Sequence, residues 1–171
     1  MINNIVRRKS IVAKIGSLKI GGHYPISVQS MTDCSIKETE KTINQIRQLE
    51  KAGCELIRIA FPDIESCKLI PIIKNNTKIP IMADIHFNPS IAIEAIKNNI
   101  DGIRINPGNI KKKESILQII EEAKKKNIMI RFGVNSGSLS KKTLEKFNLP
   151  DYKAMVEETN YIINFLNEID Y

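Results

Sequence analysis

Tryptophan is absent, aromatic residues make up 5% of the chain, and only two histidines and three cysteines occur among 171 residues. Cys34, Cys54 and Cys67 are odd in number and show no CxxC spacing, so neither a disulfide framework nor a metal site built from this chain alone is expected. Long apolar runs are also missing. Stretches such as Ile79 to Ala83 and Ile128 to Ile130 fall far short of the roughly 20 residues that span a bilayer, so no membrane segment is expected. The N-terminal MINNIVRRKS carries a basic cluster with no apolar stretch behind it, which indicates no secretory leader and makes the cytoplasm the expected compartment. Arginine is scarce as well: six residues against twenty lysines, in a composition rich in isoleucine, lysine and asparagine that matches a bias towards A/T-rich codons. Against that background the position of each arginine is informative.

What is present is 42% apolar residues in a chain the size of one soluble globular domain. The net charge of +7 raises the question of nucleic acid. The lysines, however, are spread along helical segments, as in Lys111 to Lys113 and Lys124 to Lys126, without interleaved aromatics or an RNA or DNA motif. They read as solvated helix faces, and no nucleic-acid partner is expected.

Short apolar runs recur at Ile26 to Met31, Leu56 to Phe61, Ile79 to Ile85, Ile103 to Asn106 and Ile128 to Val134. Between them lie segments of helical periodicity, Ile36 to Ala52, Ile64 to Asn75, Pro89 to Asn98 and Lys113 to Lys126, and a last helix is expected from Asp151 to Ile169. Ser35 and Glu38 have capping-box spacing, Gly53 suits the residue after a helix, and Pro89 suits a first helical turn. Ahead of these units, IVAKIGSLKIGG reads as a small β-hairpin turning at Gly16-Ser17. Repeated β-α units imply parallel strands with crossover helices. The fold class is therefore α/β, either an open sheet or a partial TIM-like (β/α) barrel of about five parallel strands with helices outside.

Side chains alternate across a strand. In Ile57-Arg58-Ile59, Ile103-Arg104-Ile105 and Ile130-Arg131-Phe132 the apolar pair faces one side and arginine the other. With the apolar flanks under the helices, Arg58, Arg104 and Arg131 point to the inner face, followed up their strands by Ala60, by Asn106, and by Gly133 and Asn135. Asp84 and His86 share the inner face of the third strand by the same rule. These positions gather at the C-terminal strand ends, where α/β folds place their sites. Arginine offers a rigid donor fork matched to phosphate oxygens. Three such cations would repel unless an anion of comparable charge sat among them, and Asp84, the one strand-borne carboxylate, cannot neutralise three. An oxyanion site for a diphosphate is the expectation.

Weaker signals accompany it. GVNSGSL, Gly133 to Leu139, has the glycine and hydroxyl content of a backbone anion cradle but also that of a simple turn. Asp84 and His86 read as a proton-handling or hydrogen-bonding pair in preference to a metal pair, since two ligands do not make a site. His23 reads as a surface-loop residue; Tyr24, Cys54 and Cys67 read as packing residues.

The stretches VQSMT (Val28 to Thr32), RQLEKAGCELIRIAFPD (Arg47 to Asp63), ADIHF (Ala83 to Phe87), RINPGN (Arg104 to Asn109) and GVNSGSL together resemble, in order and over essentially the whole chain, the 4-hydroxy-3-methylbut-2-enyl diphosphate synthases of isoprenoid biosynthesis. The resemblance implies a TIM-like barrel that binds 2-C-methyl-D-erythritol 2,4-cyclodiphosphate through Arg58, Arg104 and Arg131, with Asn106, Asn135, Asp84 and His86 lining the pocket. It further implies an oxidoreductase with a [4Fe-4S] cluster in a separate C-terminal domain, flavodoxin or ferredoxin as electron donor, a homodimer when full length, and a cytoplasmic location, or a plastid stroma in a plastid-bearing organism. Residues 1–171 match the N-terminal, substrate-binding part alone. The family's later barrel strands, its substrate lysine and its cluster ligands have no counterpart here, and Cys34, Cys54 and Cys67 match none of those ligands. This portion alone is expected to lack redox activity. Two rivals stand beside that reading: a dihydropteroate-synthase-like transferase, which would need no iron, and a noncatalytic remnant.

Overall fold

The computed structural model describes residues 8–110 and 112–171. Two strands, β1 (Ala13–Ile15) and β2 (Leu18–Ile20), form the expected antiparallel hairpin. Gly16 takes φ +54° in its turn, a region that side chains rarely enter. Five parallel strands follow: β3 (Gln29–Met31), β4 (Leu56–Ala60), β5 (Ile81–Ile85), β6 (Gly102–Ile105) and β7 (Met129–Phe132). They stand side by side in chain order. A doubly wound sheet reverses its strand order at a switch point, whereas a barrel wall does not, so this order decides for the wall of a partial (β/α) barrel.

The helices are α1 (Thr39–Lys51), α2 (Ile64–Cys67), α3 (Ile70–Lys74), α4 (Pro89–Lys97), α5 (Lys113–Lys126), α6 (Lys141–Phe147) and α7 (Tyr152–Glu168). Their ends follow local chemistry. Gly53 closes α1 at φ +92° with its N–H on the Glu50 carbonyl. Asn88 caps α4, its Oδ1 accepting from the Ser90 amide at 2.9 Å, with Pro89 as the first helical residue.

Three expectations are corrected. The capping box at Ser35 and Glu38 does not form: α1 starts one residue after Glu38, whose side chain makes no cap bond, and the Ser35 hydroxyl accepts from the Lys37 amide in a local turn. A reciprocal capping box forms instead at Asp63 and Ser66. The single helix expected from Ile64 to Asn75 is two short ones, because Pro71 lacks an amide hydrogen and restricts the residue before it, which favours a fresh start near Leu69. The segment Lys141–Phe147, not expected as a helix, is one, capped by Ser140, whose Oγ accepts from the Thr143 amide at 3.3 Å.

The main core lies between the outer sheet face and the helices. Ile57, Ile59, Ala83, Ile85, Ile103 and Ile105 pack there with Ile46, Ile73, Ile96 and Ile119. Each fully buried isoleucine contributes roughly 1.5–3 kcal/mol. A second cluster plugs the lower end of the inner face, where the hairpin drives Ile15 against Leu56 and Met82, with Leu18, Ile20 and Met129 around them. Gly102 makes room for it: a Cβ there would lie 2.6 Å from Ile15 Cδ1. With the lower lumen filled by hydrocarbon, the polar inward residues are confined to the upper end. No helix among the described residues is long and apolar enough to cross a membrane.

Candidate anion-binding site

Strand alternation places the charged residues as the sequence implies. Ile57, Ile59, Ile103 and Ile105 are buried in the outer core, and Arg58 and Arg104, between them, turn inward. Across the sheet, Ala60, Asp84, Arg104 and Arg131 share one register line, while Arg58 sits one inward step lower beside Met82.

Asp84, 3% exposed, binds two of the three arginines. Its Oδ2 lies 3.3 Å from Arg58 Nε and its Oδ1 accepts from Arg104 Nη1 at 3.2 Å. Arg131 pairs with no carboxylate among the described residues; its Nη1 donates to Gln29 Oε1 on the opposite edge strand. Burial, and then the neighbouring charges of Arg58 and Arg104, depress its pKa. That repulsion is the signature of three guanidinium groups gathered at one place. Arg58 also donates from Nε and Nη2 to Met31 Sδ, at 3.3 and 3.2 Å. Arg104 lies over Gly133, where a Cβ would come within 2.7 Å of Nη2.

His86 is half exposed at the mouth, with Nε2 3.5 Å from Asp84 Oδ2, a contact that becomes an ion pair when the imidazole is protonated. Asn106 is buried and engaged internally: its Nδ2 donates to Ser138 Oγ at 2.6 Å and its Oδ1 accepts from the Gly108 amide at 3.1 Å. Asn135 is exposed, and its Oδ1 accepts from Ser138 Oγ at 3.0 Å. Ser138 thus joins the loops after β6 and β7, and the segment Ser136–Ser138 is a single 3-10 turn. The structure brings Arg58, Asp84, Arg104, Arg131 and His86 together, and places Asn106 as a brace beneath the loops.

Gln29 and Met31 are neighbours of the site that sequence reasoning did not single out. The alternation rule used for the arginine strands, applied to QSM, would have turned both inward.

His23 is exposed in its loop, and Cys54 and Cys67 are core residues. Burial pushes the Cys67 thiol up to about 12. Tyr24 is 39% exposed and accepts from Lys19 Nζ at 2.9 Å, so it is a surface residue and not the packing residue expected. A cleft of about 740 Å³ opens at the other end of the strands, lined in part by Lys14, Lys74, Asp101 and Lys126. Lys74 and Lys126 are spent there on Asp101 and on backbone carbonyls at the end of α4, and Arg58, Arg104 and Arg131 do not line it. The arginine cluster, at the C-terminal strand ends, is the candidate site.

The GcpE TIM-barrel domain model matches residues 10–171. The chain belongs to the GcpE TIM-barrel domain family. Among curated proteins, the 4-hydroxy-3-methylbut-2-en-1-yl diphosphate synthase (flavodoxin) of Thermodesulfovibrio yellowstonii is 47% identical over 98% of this chain and 48% of its own length. Those of Fusobacterium nucleatum and Caldicellulosiruptor saccharolyticus are 46% and 51% identical, over 97% and 92% of this chain and 47% and 46% of their own lengths. This GcpE-family chain therefore spans about half the length of the curated relatives it matches. Among solved structures, the 7,8-dihydropteroate synthase of Vibrio fischeri aligns over 72% of the chain and 48% of its own with a TM-score of 0.54 at 13% identity. The Yersinia pestis dihydropteroate synthase covers 80% and 52%, with a TM-score of 0.53 at 12% identity. At such identity the likeness is one of fold.

Proposed function

We propose that this chain is the substrate-gripping barrel wall of a 4-hydroxy-3-methylbut-2-enyl diphosphate synthase, and that its arginines hold the two phosphates of 2-C-methyl-D-erythritol 2,4-cyclodiphosphate. The carrying observation is the charge count at the strand ends. Three guanidinium groups face one carboxylate, which leaves two positive charges over. A cyclic diphosphate has one ionised oxygen per phosphorus and so presents two negative charges. Guanidinium forks suit its paired oxygens, and the shielded site strengthens each contact over its value in water. The name borne by the curated relatives, which gives the product diphosphate and flavodoxin, supports the same reaction and flavodoxin as the electron donor. The transferase rival shares the fold alone.

The roles divide accordingly. Arg131, without a carboxylate, supplies the strongest pull on an arriving anion. Arg58 and Arg104 are held ready by Asp84 and turn part of their donor set to the guest. His86 at the mouth can donate a hydrogen bond to a guest oxygen, with Asp84 orienting it.

The iron-sulfur cluster implied by the family has no fitting ligand set among the described residues. Cys54 donates to the Leu56 carbonyl, Cys67 to those of Asp63 and Ile91, and Cys34 to Gln45 Oε1, each in its own place, and no three metal-binding side chains gather. No step through the cluster is assigned to this chain.

Anaerobic turnover by the complete protein with reduced flavodoxin tests the reading. Conversion of the cyclodiphosphate to 4-hydroxy-3-methylbut-2-enyl diphosphate supports it. Formation of a pterin adduct from a pterin diphosphate, with the cyclodiphosphate untouched, would overturn it.

A further inference from the structure

Arg131 poses a problem of orientation. A cation meant to attract an anion must be held in place, yet the usual holder of arginine in a shielded site is a carboxylate, which would cancel the charge. Arg58 and Arg104 show that arrangement, sharing Asp84. Arg131 shows another. Its partner is the amide oxygen of Gln29, a neutral acceptor that fixes the guanidinium and leaves its charge whole. Gln29 reaches it from β3, the first strand of the sheet, across the lumen to β7, the last. Two residues along the same face, Met31 gives Arg58 a second neutral acceptor in its thioether sulfur. The inward face of β3 thus offers the arginines only uncharged acceptors.

We propose that Gln29 is a positioning residue for the diphosphate site: it aims the Arg131 fork at the guest while sparing its positive charge. The inference rests on the proposed diphosphate reading. It assigns β3 a part in setting the charge of the site as well as its shape. A carboxylate at position 29 would hold Arg131 more firmly and serve the guest less well.

Gln29→Glu and Gln29→Met separate this role from a merely structural one. If the bond served only to tie β3 to β7, glutamate, which keeps an acceptor and gains charge assistance, would be the tolerated change and methionine the harmful one. The proposal reverses that order for binding. Calorimetric titration of the complete protein with 2-C-methyl-D-erythritol 2,4-cyclodiphosphate, and with inorganic pyrophosphate as a simpler probe, should show Gln29→Glu weakening the dissociation constant by about tenfold or more. Its melting temperature should be unchanged or raised. Gln29→Met should lose less affinity than Gln29→Glu. Glutamate binding within twofold of the unmodified protein, or methionine binding more weakly than glutamate, would overturn the inference while leaving the diphosphate reading intact. Failure of the unmodified protein to bind either probe would overturn that reading, and the role of Gln29 with it.

Discussion

The Nε–Nη2 edge of the Arg104 guanidinium faces Gly133, so close that a Cβ at that glycine would come 2.7 Å from Nη2 and 2.8 Å from Nε. Gly133 is the next inward position above Arg131, and its amide donates to the Ile105 carbonyl at 2.9 Å, which keeps the strand in register. The absent side chain is what leaves room for the Arg104 fork beside the strand that carries Arg131.

Gly133→Ala should therefore act on binding before it acts on folding. The added methyl must push the Arg104 fork aside, and charge-assisted contacts depend steeply on geometry. The expected outcome is a cyclodiphosphate dissociation constant about tenfold weaker, with a loss of stability within about 1 kcal/mol, read by calorimetry and thermal denaturation on the same samples.

Arg131→Met should give the opposite signs for stability and function. It removes a half-buried cation that repels Arg58 and Arg104, and it keeps most of the side-chain volume. The protein should gain about 0.5–1 kcal/mol, or a few degrees in melting temperature, and lose diphosphate binding.

Asp84→Asn should cost about 2–4 kcal/mol, because it leaves Arg58 and Arg104 without the carboxylate they share. Added pyrophosphate should recover more melting temperature in this variant than in the unmodified protein, since the anion then takes over the role of the missing carboxylate. Equal gains in the two proteins would contradict the placement of both arginines.

Asp63 gives a pH signature away from the site. Lys37, 2.7 Å away, and the Ser66 amide hold its carboxyl below its usual pKa. A depressed folded pKa means that the associated stability is present above the unfolded value of about 3.9 and is lost as pH falls through the folded one. Asp63→Asn should thus lower the melting temperature at pH 7, and the gap to the unmodified protein should close as the pH is taken down towards 3.

Much of the fold was legible because it rests on short-range rules. Alternation in IRI, IRI and IRF set the inward and outward faces, and Pro89 and Gly53 marked helix ends that the structure keeps. What escaped depended on contacts between distant residues. The helix Lys141–Phe147 has weak periodicity and gains its hold from Glu158 on α7, whose Oε2 accepts from Ser140 Oγ at 2.8 Å and Thr143 Oγ1 at 2.6 Å. At the site, the convergence of Arg58, Arg104 and Arg131 was readable from parity. That Asn106 is taken up by Ser138 and Gly108, and that Gln29 meets Arg131 across 102 positions of sequence, was not, since neither follows from periodicity within one element.

The most direct measurement is a crystal structure of the complete protein with 2-C-methyl-D-erythritol 2,4-cyclodiphosphate bound. Donor atoms of Arg58, Arg104 and Arg131 should lie about 2.7–3.0 Å from the phosphate oxygens, with Gln29 still on Arg131. A ligand seated elsewhere, or phosphates out of reach of Arg131, would contradict the account.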